Sequence, residues 1–213
     1  MFDEIKKQFK EIGIIPVVVL DDAKDAKALG DALMKGGLPA AEVTFRTAAA
    51  EESIRIMAKE FPDMLVGAGT VLTTEQADRA MAAGAKFIVA PGFNPTVVKH
   101  CLEKGYPVCP GVQTPSEMEQ AMELGLDFVK FFPAEPAGGL NMIKAVAAPY
   151  VGLSFMPTGG INKDNVRDYL AYNRIVACGG TWMVKGDLIT SGNFAKIEEL
   201  TREAATIVKE IRG

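Results

Sequence analysis

Short apolar runs alternate with amphipathic stretches eight times along the chain. The eight runs are Ile14–Leu20, Ala41–Arg46, Leu65–Val71, Phe87–Pro91, Pro107–Gly111, Phe128–Phe132, Ser154–Thr158 and Ile175–Gly179. Runs this short and this apolar are typical of parallel β-strands in a sheet that helices cover. The pattern therefore predicts eight buried strands.

The stretches between the runs repeat their apolar residues at the spacing of an α-helix. The longest stripe follows the last strand and consists of Phe194, Ile197, Leu200, Ala204, Ile207, Val208 and Ile211. Capping signals mark several predicted helix starts, because Asn94-Pro95 and the segments that begin at Thr73 and Thr114 carry side chains suited to an N-cap. Glycines suited to helix ends stand at Gly36, Gly37, Gly84, Gly105 and Gly125.

Repeated alternation of strand and helix indicates a parallel sheet in an α/β fold. Eight such units, without a break in composition, favour a closed (β/α)8 barrel (a TIM barrel) over an open sheet. We therefore predict a single domain over residues 1–213. A further amphipathic segment, Met1–Ile12, predicts an extra N-terminal helix ahead of the first strand.

Composition and charge narrow the classes of partner. The 213 residues are 48% hydrophobic and 23% charged, which is ordinary for a globular protein, and the net charge is −4. An acidic chain argues against nucleic acid or an anionic membrane surface as the main partner. The charged start is unlike a signal peptide and no apolar run is long enough to span a membrane, so we expect a cytoplasmic protein.

The second run carries charged residues where a buried strand should be apolar. Side chains alternate along a strand, so Glu42, Thr44 and Arg46 share one face while Val43 and Phe45 share the other. We assign Val43 and Phe45 to the helix layer, which places the other three inside the barrel. Buried charges are costly unless they are paired or used. A space-filling salt bridge is one explanation; we favour a general base, Glu42, beside an anion clamp, Arg46.

The sixth run places a lysine between aromatic residues. Lys130 shares a strand face with Phe128 and Phe132, and both faces of a barrel strand are covered. Apolar surroundings disfavour the ammonium form and free the amine as a nucleophile. The pattern therefore predicts a Schiff-base lysine rather than a lysine whose head reaches water.

Small residues and hydroxyls follow the third, seventh and eighth runs. We assign Thr70 to the inner face together with Val66 and Ala68, where its hydroxyl could bond a substrate carboxylate. Two Gly-Gly pairs, Gly159-Gly160 and Gly179-Gly180, are placed in the loops after the last two strands. In (β/α)8 barrels these loops form the usual phosphate site, because free backbone N–H groups meet the anion there.

Several other site classes find no support in the chain. His100 is the only histidine and falls in the helix after the fourth strand, so neither a metal site nor a Ser-His-Asp triad is predicted. The glycine-rich loops match no nucleotide or dinucleotide fingerprint, and no cofactor is expected. Three scattered cysteines, Cys101, Cys109 and Cys178, are interpreted as buried free thiols.

Six motifs, taken in order, resemble the 2-keto-3-deoxy-6-phosphogluconate (KDPG) aldolase family, which also includes 4-hydroxy-2-oxoglutarate (KHG) aldolases. The likeness covers nearly the whole chain. The motifs are Glu-Val-Thr-Phe-Arg (42–46), Gly-Ala-Gly-Thr-Val (67–71), Ala-Pro-Gly (90–92), Val-Lys-Phe-Phe-Pro-Ala (129–134), Pro-Thr-Gly-Gly-Ile (157–161) and Gly-Gly-Thr-Trp (179–182).

The resemblance implies a metal-independent class I aldolase, homotrimeric and cytoplasmic, of the Entner–Doudoroff pathway. Its substrate would be a phosphorylated 2-keto acid and its products pyruvate and glyceraldehyde 3-phosphate. Lys130 would form the Schiff base and Glu42 would carry protons. Arg46, Thr70 and Lys130 would bind the pyruvate part, and Thr158 would influence stereochemistry. The implied phosphate-binding residues are Gly159, Gly160, Gly179, Gly180 and Thr181.

The sequence is also compatible with other functions. The 6-phosphogalactonate analogue is a C4 epimer that a related aldolase would cleave, and side activity on unphosphorylated KHG is a further expectation. A phosphate-binding barrel could also be an isomerase or a binding protein. Neither of those needs a desolvated strand lysine, so Lys130 favours the aldolase.

Overall fold

The computed structural model describes residues 2–213, so Met1 of the predicted N-terminal helix lies outside the described residues. The strands are β1 Ile14–Val18, β2 Ala40–Thr44, β3 Leu65–Gly69, β4 Ile88–Val89, β5 Val108–Cys109, β6 Gly111–Val112, β7 Phe128–Phe131, β8 Ser154–Pro157 and β9 Cys178–Gly180. The helices are α1 Asp3–Ile12, α2 Ala26–Gly36, α3 Ala50–Glu60, α4 Thr74–Ala82, α5 Pro95–Lys104, α6 Pro115–Glu123, α7 Gly139–Ala147, α8 Val166–Ala171, α9 Gly186–Thr190 and α10 Phe194–Arg212.

The fold is α/β, with curled parallel sheets. Six strands pair in the order β5-β4-β3-β2-β1-β9, and three pair in the order β6-β7-β8. The fifth predicted run forms two strands because Pro110, which has no N–H to donate, interrupts it. Isolated bridges join Phe155 to Ile175 and Thr158 to Gly179.

Strand ends differ from the predicted bounds by a few residues. Arg46 and Thr158 follow their strands rather than ending them, and the last strand begins at Cys178 instead of Ile175. Hydrophobicity reports burial, and residues just past the hydrogen-bonded ladder, such as Leu20 and Val71, are as buried as the strands themselves. The apolar runs therefore extend beyond the ladder.

Two hydrophobic clusters fill the fold. The outer cluster packs the strands against the helices, and it contains Val43, Val129 and Phe131. The inner cluster takes the alternate strand residues together with one residue from α1, and its members are Phe9, Ile15, Ala40, Leu65, Phe87, Val89, Cys109, Phe128, Met156, Val176 and Ala177. This alternation confirms the faces predicted for the sixth run and, in the second run, for Val43.

The N-terminal helix closes one end of the inner cluster. Phe9 of α1 is 1% exposed, and its ring meets those of Phe87 and Phe128 edge to face at 4.8 and 5.4 Å. Large rings therefore occupy this end of the interior, which leaves the opposite end, at the carboxyl ends of the strands, for polar side chains.

Helix starts follow the predicted capping signals. The Asn94 side chain accepts a hydrogen bond from Thr96 N, and Thr114 and Glu117 form a complete capping box. Thr73 caps α4, although Gln76 reaches back to the N–H of Leu72 rather than to that of the cap residue. Within residues 2–213, no helix is long and apolar enough to cross a membrane.

The three cysteines are free and buried, as predicted. Burial raises the pKa of Cys101 to about 11 and that of Cys178 to about 12, and it raises the pKa of Cys109 as well. Since the thiolate is the reactive form, these thiols are inert at neutral pH.

Replacing Phe9 tests the closure by α1. Phe9→Ala should lower the free energy of unfolding by about 3–5 kcal/mol, because it leaves a cavity between two rings. Urea unfolding followed by circular dichroism measures the change. Val151→Ala, at a side chain that is 80% exposed, is the control and should change stability by less than about 0.5 kcal/mol. Equal stability of the two variants would contradict this role of α1.

Candidate active site

A cavity of about 310 Å³ opens at the carboxyl ends of the strands. Nine of the ten predicted site residues line it, and only Gly180 does not. Their meeting in one place depends on the parallel direction of the strands, which brings all carboxyl ends to one edge. The lining residues are Val17, Glu42, Thr44, Arg46, Thr70, Pro91, Lys130, Phe132, Thr158, Gly159, Gly160, Ile161, Gly179 and Thr181.

A buried ion pair lies at the bottom of this cavity. Lys130, on β7, is 5% exposed, and its Nζ lies 3.4 Å from Oε1 of Glu42, a fully buried residue on β2. The Phe132 ring lies beside the ammonium, with its centroid 5.2 Å from Nζ. Lys130 therefore does not have the purely apolar surroundings that the sequence suggested, because a carboxylate from another strand compensates its charge.

The Glu42 carboxylate is only half satisfied. Its Oε2 is buried without a hydrogen-bond partner among residues 2–213, and the same holds for Oγ1 of Thr158. A buried oxygen without a partner costs free energy unless water or a ligand supplies one. Both residues line the cavity, so these oxygens are candidate partners for a substrate hydroxyl.

Glycines on β3 make room for Glu42, and here the predicted strand face is wrong. Val66 and Ala68 belong to the outer cluster, whereas Leu65 belongs to the inner one. The interior face of β3 is therefore Leu65, Gly67 and Gly69. A Cβ on Gly69 would collide with the Glu42 carboxyl group, so only glycine leaves the carboxylate its space.

Thr70 reaches the cavity by a route that strand alternation does not predict. It follows β3 with φ +55°, in the left-handed region that residues other than glycine seldom occupy. This backbone breaks the alternation and turns Thr70 toward the cavity, although it follows Gly69 of the interior face directly. The prediction of a cavity-lining Thr70 was therefore right, but its stated reason was wrong.

Arg46 lies at the mouth of the cavity rather than inside the fold. It is exposed and stands in the turn after β2, where its Nε donates to Oγ1 of Thr44 at 3.2 Å. The Thr44 hydroxyl donates in turn to the carbonyl of Val18 at 2.9 Å. The terminal guanidinium nitrogens make no hydrogen bond to the described part of the chain, so they can receive a carboxylate.

The two Gly-Gly pairs differ in structure. Gly159 and Gly160 form a turn after β8 with φ of +99° and +82°. Gly179 and Gly180, in contrast, belong to β9 instead of the loop after it. Gly179 is small because a Cβ there would strike the Thr158 hydroxyl, and Gly180 packs under the Trp182 ring, which explains its absence from the cavity.

Five cavity residues are not among the predicted site residues: Val17, Thr44, Pro91, Phe132 and Ile161. The sequence placed Thr44 on the inner face with Glu42 but gave it no role. Pro91 and Ile161 lie within motifs already noted, and Phe132 was treated only as a neighbour of Lys130. Val17 carried no signal, since an apolar residue in an apolar strand is ordinary. Its position follows from the register of β1 and β2, in which Val17 is the partner of Glu42.

Metal-ligating side chains do not gather in the described chain. Across residues 2–213, no three His, Cys, Asp or Glu side chains are grouped so that they could hold a metal ion. His100 lies on α5, as predicted, and its Nε2 is 2.8 Å from Oδ1 of Asp78, away from the cavity. The chemical groups at the cavity are thus an amine, carboxylate, guanidinium, hydroxyls and free backbone N–H groups.

Comparison with known proteins finds relatives that are similar to this chain over nearly its full length. The family model described as KDPG and KHG aldolase matches residues 5–200. A 2-dehydro-3-deoxy-phosphogluconate aldolase from Haemophilus influenzae is 50% identical over 206 residues, which cover 97% of each chain.

Solved structures are similar too. The KDPG aldolase of Zymomonas mobilis ZM4 with 3-phosphoglycerate matches with a TM-score of 0.91 and 38% identity over 97% of each chain. The KDPG aldolase of Legionella pneumophila, with pyruvate captured as a covalent carbinolamine, matches with a TM-score of 0.89 and 37% identity over 92% of this chain and 96% of that one. Together with the family model, these likenesses show that the chain belongs to the KDPG and KHG aldolase family.

Proposed function

We propose that the chain is a class I aldolase that reversibly cleaves KDPG to pyruvate and glyceraldehyde 3-phosphate, with side activity on KHG. The observation that carries this proposal is the buried Lys130 amine beside the Glu42 carboxylate in an open cavity. Membership of the aldolase family supports it. The reaction needs an amine to form an imine and a nearby group to move protons, and the pair supplies both.

Imine formation begins with a proton transfer within the pair. Glu42 takes a proton from the Lys130 ammonium, and the free amine attacks the C2 ketone of the substrate to give a carbinolamine. Glu42 returns the proton to the departing hydroxyl, and water leaves as the protonated imine forms. The carboxylate is then restored beside the new cation, where it stabilises the positive charge.

Carbon–carbon cleavage uses the same two residues. Glu42 takes the proton of the C4 hydroxyl, the C3–C4 bond breaks, and its electron pair flows into the imine to give an enamine. The aldehyde, glyceraldehyde 3-phosphate, departs. Glu42 then protonates C3, and water hydrolyses the imine to release pyruvate and regenerate Lys130. One carboxylate thus acts alternately as base and acid.

The remaining cavity residues divide the substrate between them in this proposal. Arg46 and Thr70 bind the carboxylate of the pyruvate part, because a guanidinium fork suits two carboxylate oxygens. Thr158, with its free hydroxyl, contacts the hydroxylated carbons and influences stereochemistry. The phosphate would lie at the far end of the cavity, on Gly159, Gly160, Gly179 and Thr181. Gly180, which the family resemblance also implied, does not line the cavity.

We further propose that the two sheets are arcs of one closed (β/α)8 barrel within a single domain. The parallel pairing of every strand supports this, as does the continuity of β5 and β6 around Pro110. The bridges from Phe155 to Ile175 and from Thr158 to Gly179 link β8 to β9. From family membership, we also propose that the chain forms a homotrimer and acts in the cytoplasm.

Borohydride trapping tests the imine. With pyruvate and borohydride, the wild-type chain should gain one reduced pyruvyl adduct on Lys130, and Lys130→Met should gain none and lose turnover. Peptide mass spectrometry locates the adduct, and circular dichroism checks that the variant is folded. Lys99→Met, on the exposed face of α5, is the control and should react like the wild type. An unmodified wild-type Lys130 would refute the proposed mechanism.

Glu42→Gln tests proton transfer with almost no change of shape. We expect kcat to fall by about 10²–10⁴-fold, because an amide cannot accept the C4 hydroxyl proton. The pyruvate adduct on Lys130 should still form, more slowly, since the nucleophile is intact. Glu103→Gln, at an exposed carboxylate on α5, should leave the steady-state rate unchanged. A Glu42→Gln enzyme within tenfold of the wild-type kcat would exclude Glu42 as the proton carrier.

Comparison of the two C4 epimers tests substrate choice. We expect kcat/KM for KDPG to exceed that for the 6-phosphogalactonate analogue by at least about tenfold, because the single free Thr158 hydroxyl can bond only one configuration well. Coupled measurement of pyruvate release gives both values. Thr158→Val should reduce the difference between the two kcat/KM values. Equal rates with the wild type, or a preference for the galactonate epimer, would contradict the assignment.

A further inference from the structure

The turn proposed to hold the phosphate is fastened to the loop that follows the lysine strand. Beyond β7, the backbone N–H of Ala134 donates to the carbonyl of Thr158 at 2.8 Å, and that of Glu135 donates to the carbonyl of Gly159 at 3.0 Å. The segment after Lys130 therefore sets the position of the Gly159-Gly160 turn. Glu135 is the last residue in this run of contacts.

The side chain of Glu135 points away from the cavity and is hydrogen-bonded to a residue of α8. Its Oε1 accepts a hydrogen bond from the hydroxyl of Tyr169, a residue of α8 that is only 2% exposed. Burial raises the pKa of Tyr169, and the neighbouring Glu135 carboxylate raises it further. The phenol therefore stays protonated, and it remains a donor throughout the neutral range.

Two glycines surround this hydrogen bond. A Cβ on Gly160 would come within 2.5 Å of the Glu135 Cβ, and a Cβ on Gly139 would lie 2.9 Å from Glu135 Oε1 and 3.1 Å from the Tyr169 hydroxyl. Both glycines have positive φ. The Glu135 side chain thus occupies the space that two missing side chains leave, and Gly160 lies directly against it.

The Gly160 carbonyl is also held, by two asparagine side chains that do not line the cavity. It accepts hydrogen bonds from Nδ2 of Asn165 at 3.0 Å and from Nδ2 of Asn162 at 3.2 Å. In a planar trans peptide the N–H points opposite to the carbonyl. With the Gly159 and Gly160 carbonyls engaged outside, the N–H groups of Gly160 and Ile161 are directed toward the cavity that both residues line.

We propose that Glu135 and Tyr169 are positioning residues, whose hydrogen bond holds the Gly159-Gly160 turn in its phosphate-binding form and so sets the preference for phosphorylated over unphosphorylated 2-keto acids. This inference rests on the proposed aldolase function and adds residues that do not line the cavity. The bond also has an electrostatic role. It keeps the Glu135 carboxylate next to α8. Without this hydrogen bond, the carboxylate could rotate toward the phosphate and repel it.

The test compares KDPG with KHG, which lacks the phosphate. Tyr169→Phe removes one oxygen and keeps the buried ring in place. We expect KM for KDPG to rise by about tenfold, the size expected on losing a hydrogen bond to a charged group. The kcat on KDPG and the kcat/KM on KHG should stay within about twofold. The matched control is Tyr172→Phe, which removes a neighbouring hydroxyl but keeps the hydrogen bond from Tyr169 to Glu135. It should leave KM and kcat unchanged for both substrates.

Variants of Glu135 provide a second test of the same hydrogen bond. Glu135 is exposed, so its replacement does not disturb the core as a change at the buried Tyr169 could. Glu135→Ala should raise KM for KDPG as Tyr169→Phe does, while Glu135→Gln, whose amide oxygen still accepts from Tyr169, should stay within about threefold of the wild type. Because both residues act through one bond, the double variant Tyr169→Phe/Glu135→Ala should be no worse than either single variant.

The outcomes separate this inference from the proposed function. If the wild-type chain neither traps pyruvate on Lys130 nor releases it from either substrate, the aldolase proposal fails. If the wild type is active but the variants lower activity on both substrates equally, or leave KM for KDPG unchanged, the positioning role is overturned. Additive effects in the double variant would likewise show that the hydrogen bond is not the cause.

Discussion

The ion pair between Lys130 and Glu42 is the constraint around which the interior is arranged. Removing either charge from water costs several kcal/mol, and the mutual attraction offsets this only while both partners remain in place. Lys130 comes from the three-stranded sheet and Glu42 from the six-stranded one. The pair therefore links the two sheets across the interior, and it does so at the place where the proposed chemistry needs a nucleophile and a proton carrier.

Space for this pair is made by residue size along the strands. At the end that α1 closes, the interior faces carry Phe9, Phe87 and Phe128, which pack edge to face. At the other end, Gly69 opposite Glu42 and Gly179 opposite Thr158 remove the side chains that would fill the interior. The same alternation thus produces a filled apolar end and an open polar end, and only the open end can admit a substrate.

The two ends of the proposed substrate would be recognised by different kinds of group. Charged side chains, Lys130 and Arg46, would face the keto acid, whereas the phosphate would meet backbone N–H groups of the Gly159-Gly160 turn. Backbone groups can bind an anion only if the turn is held in one conformation, because they have no side-chain freedom with which to adjust. This requirement is the reason that contacts outside the cavity, such as that between Glu135 and Tyr169, would affect the binding of the phosphate.

The sequence by itself determined the order of strands and helices, the capping of α5 and α6, and the choice of Lys130 and Glu42 as candidate reactive residues. These follow from periodicity and from charged residues in buried runs, which are local properties. Tertiary structure decided that Lys130 pairs with Glu42, 88 residues away, that Val66 and Ala68 face the helices, and that Pro110 divides a strand. When both faces of a strand are buried, hydrophobicity cannot distinguish them. The distinction depends on what lies opposite, as the Glu42 carboxylate lies opposite Gly69.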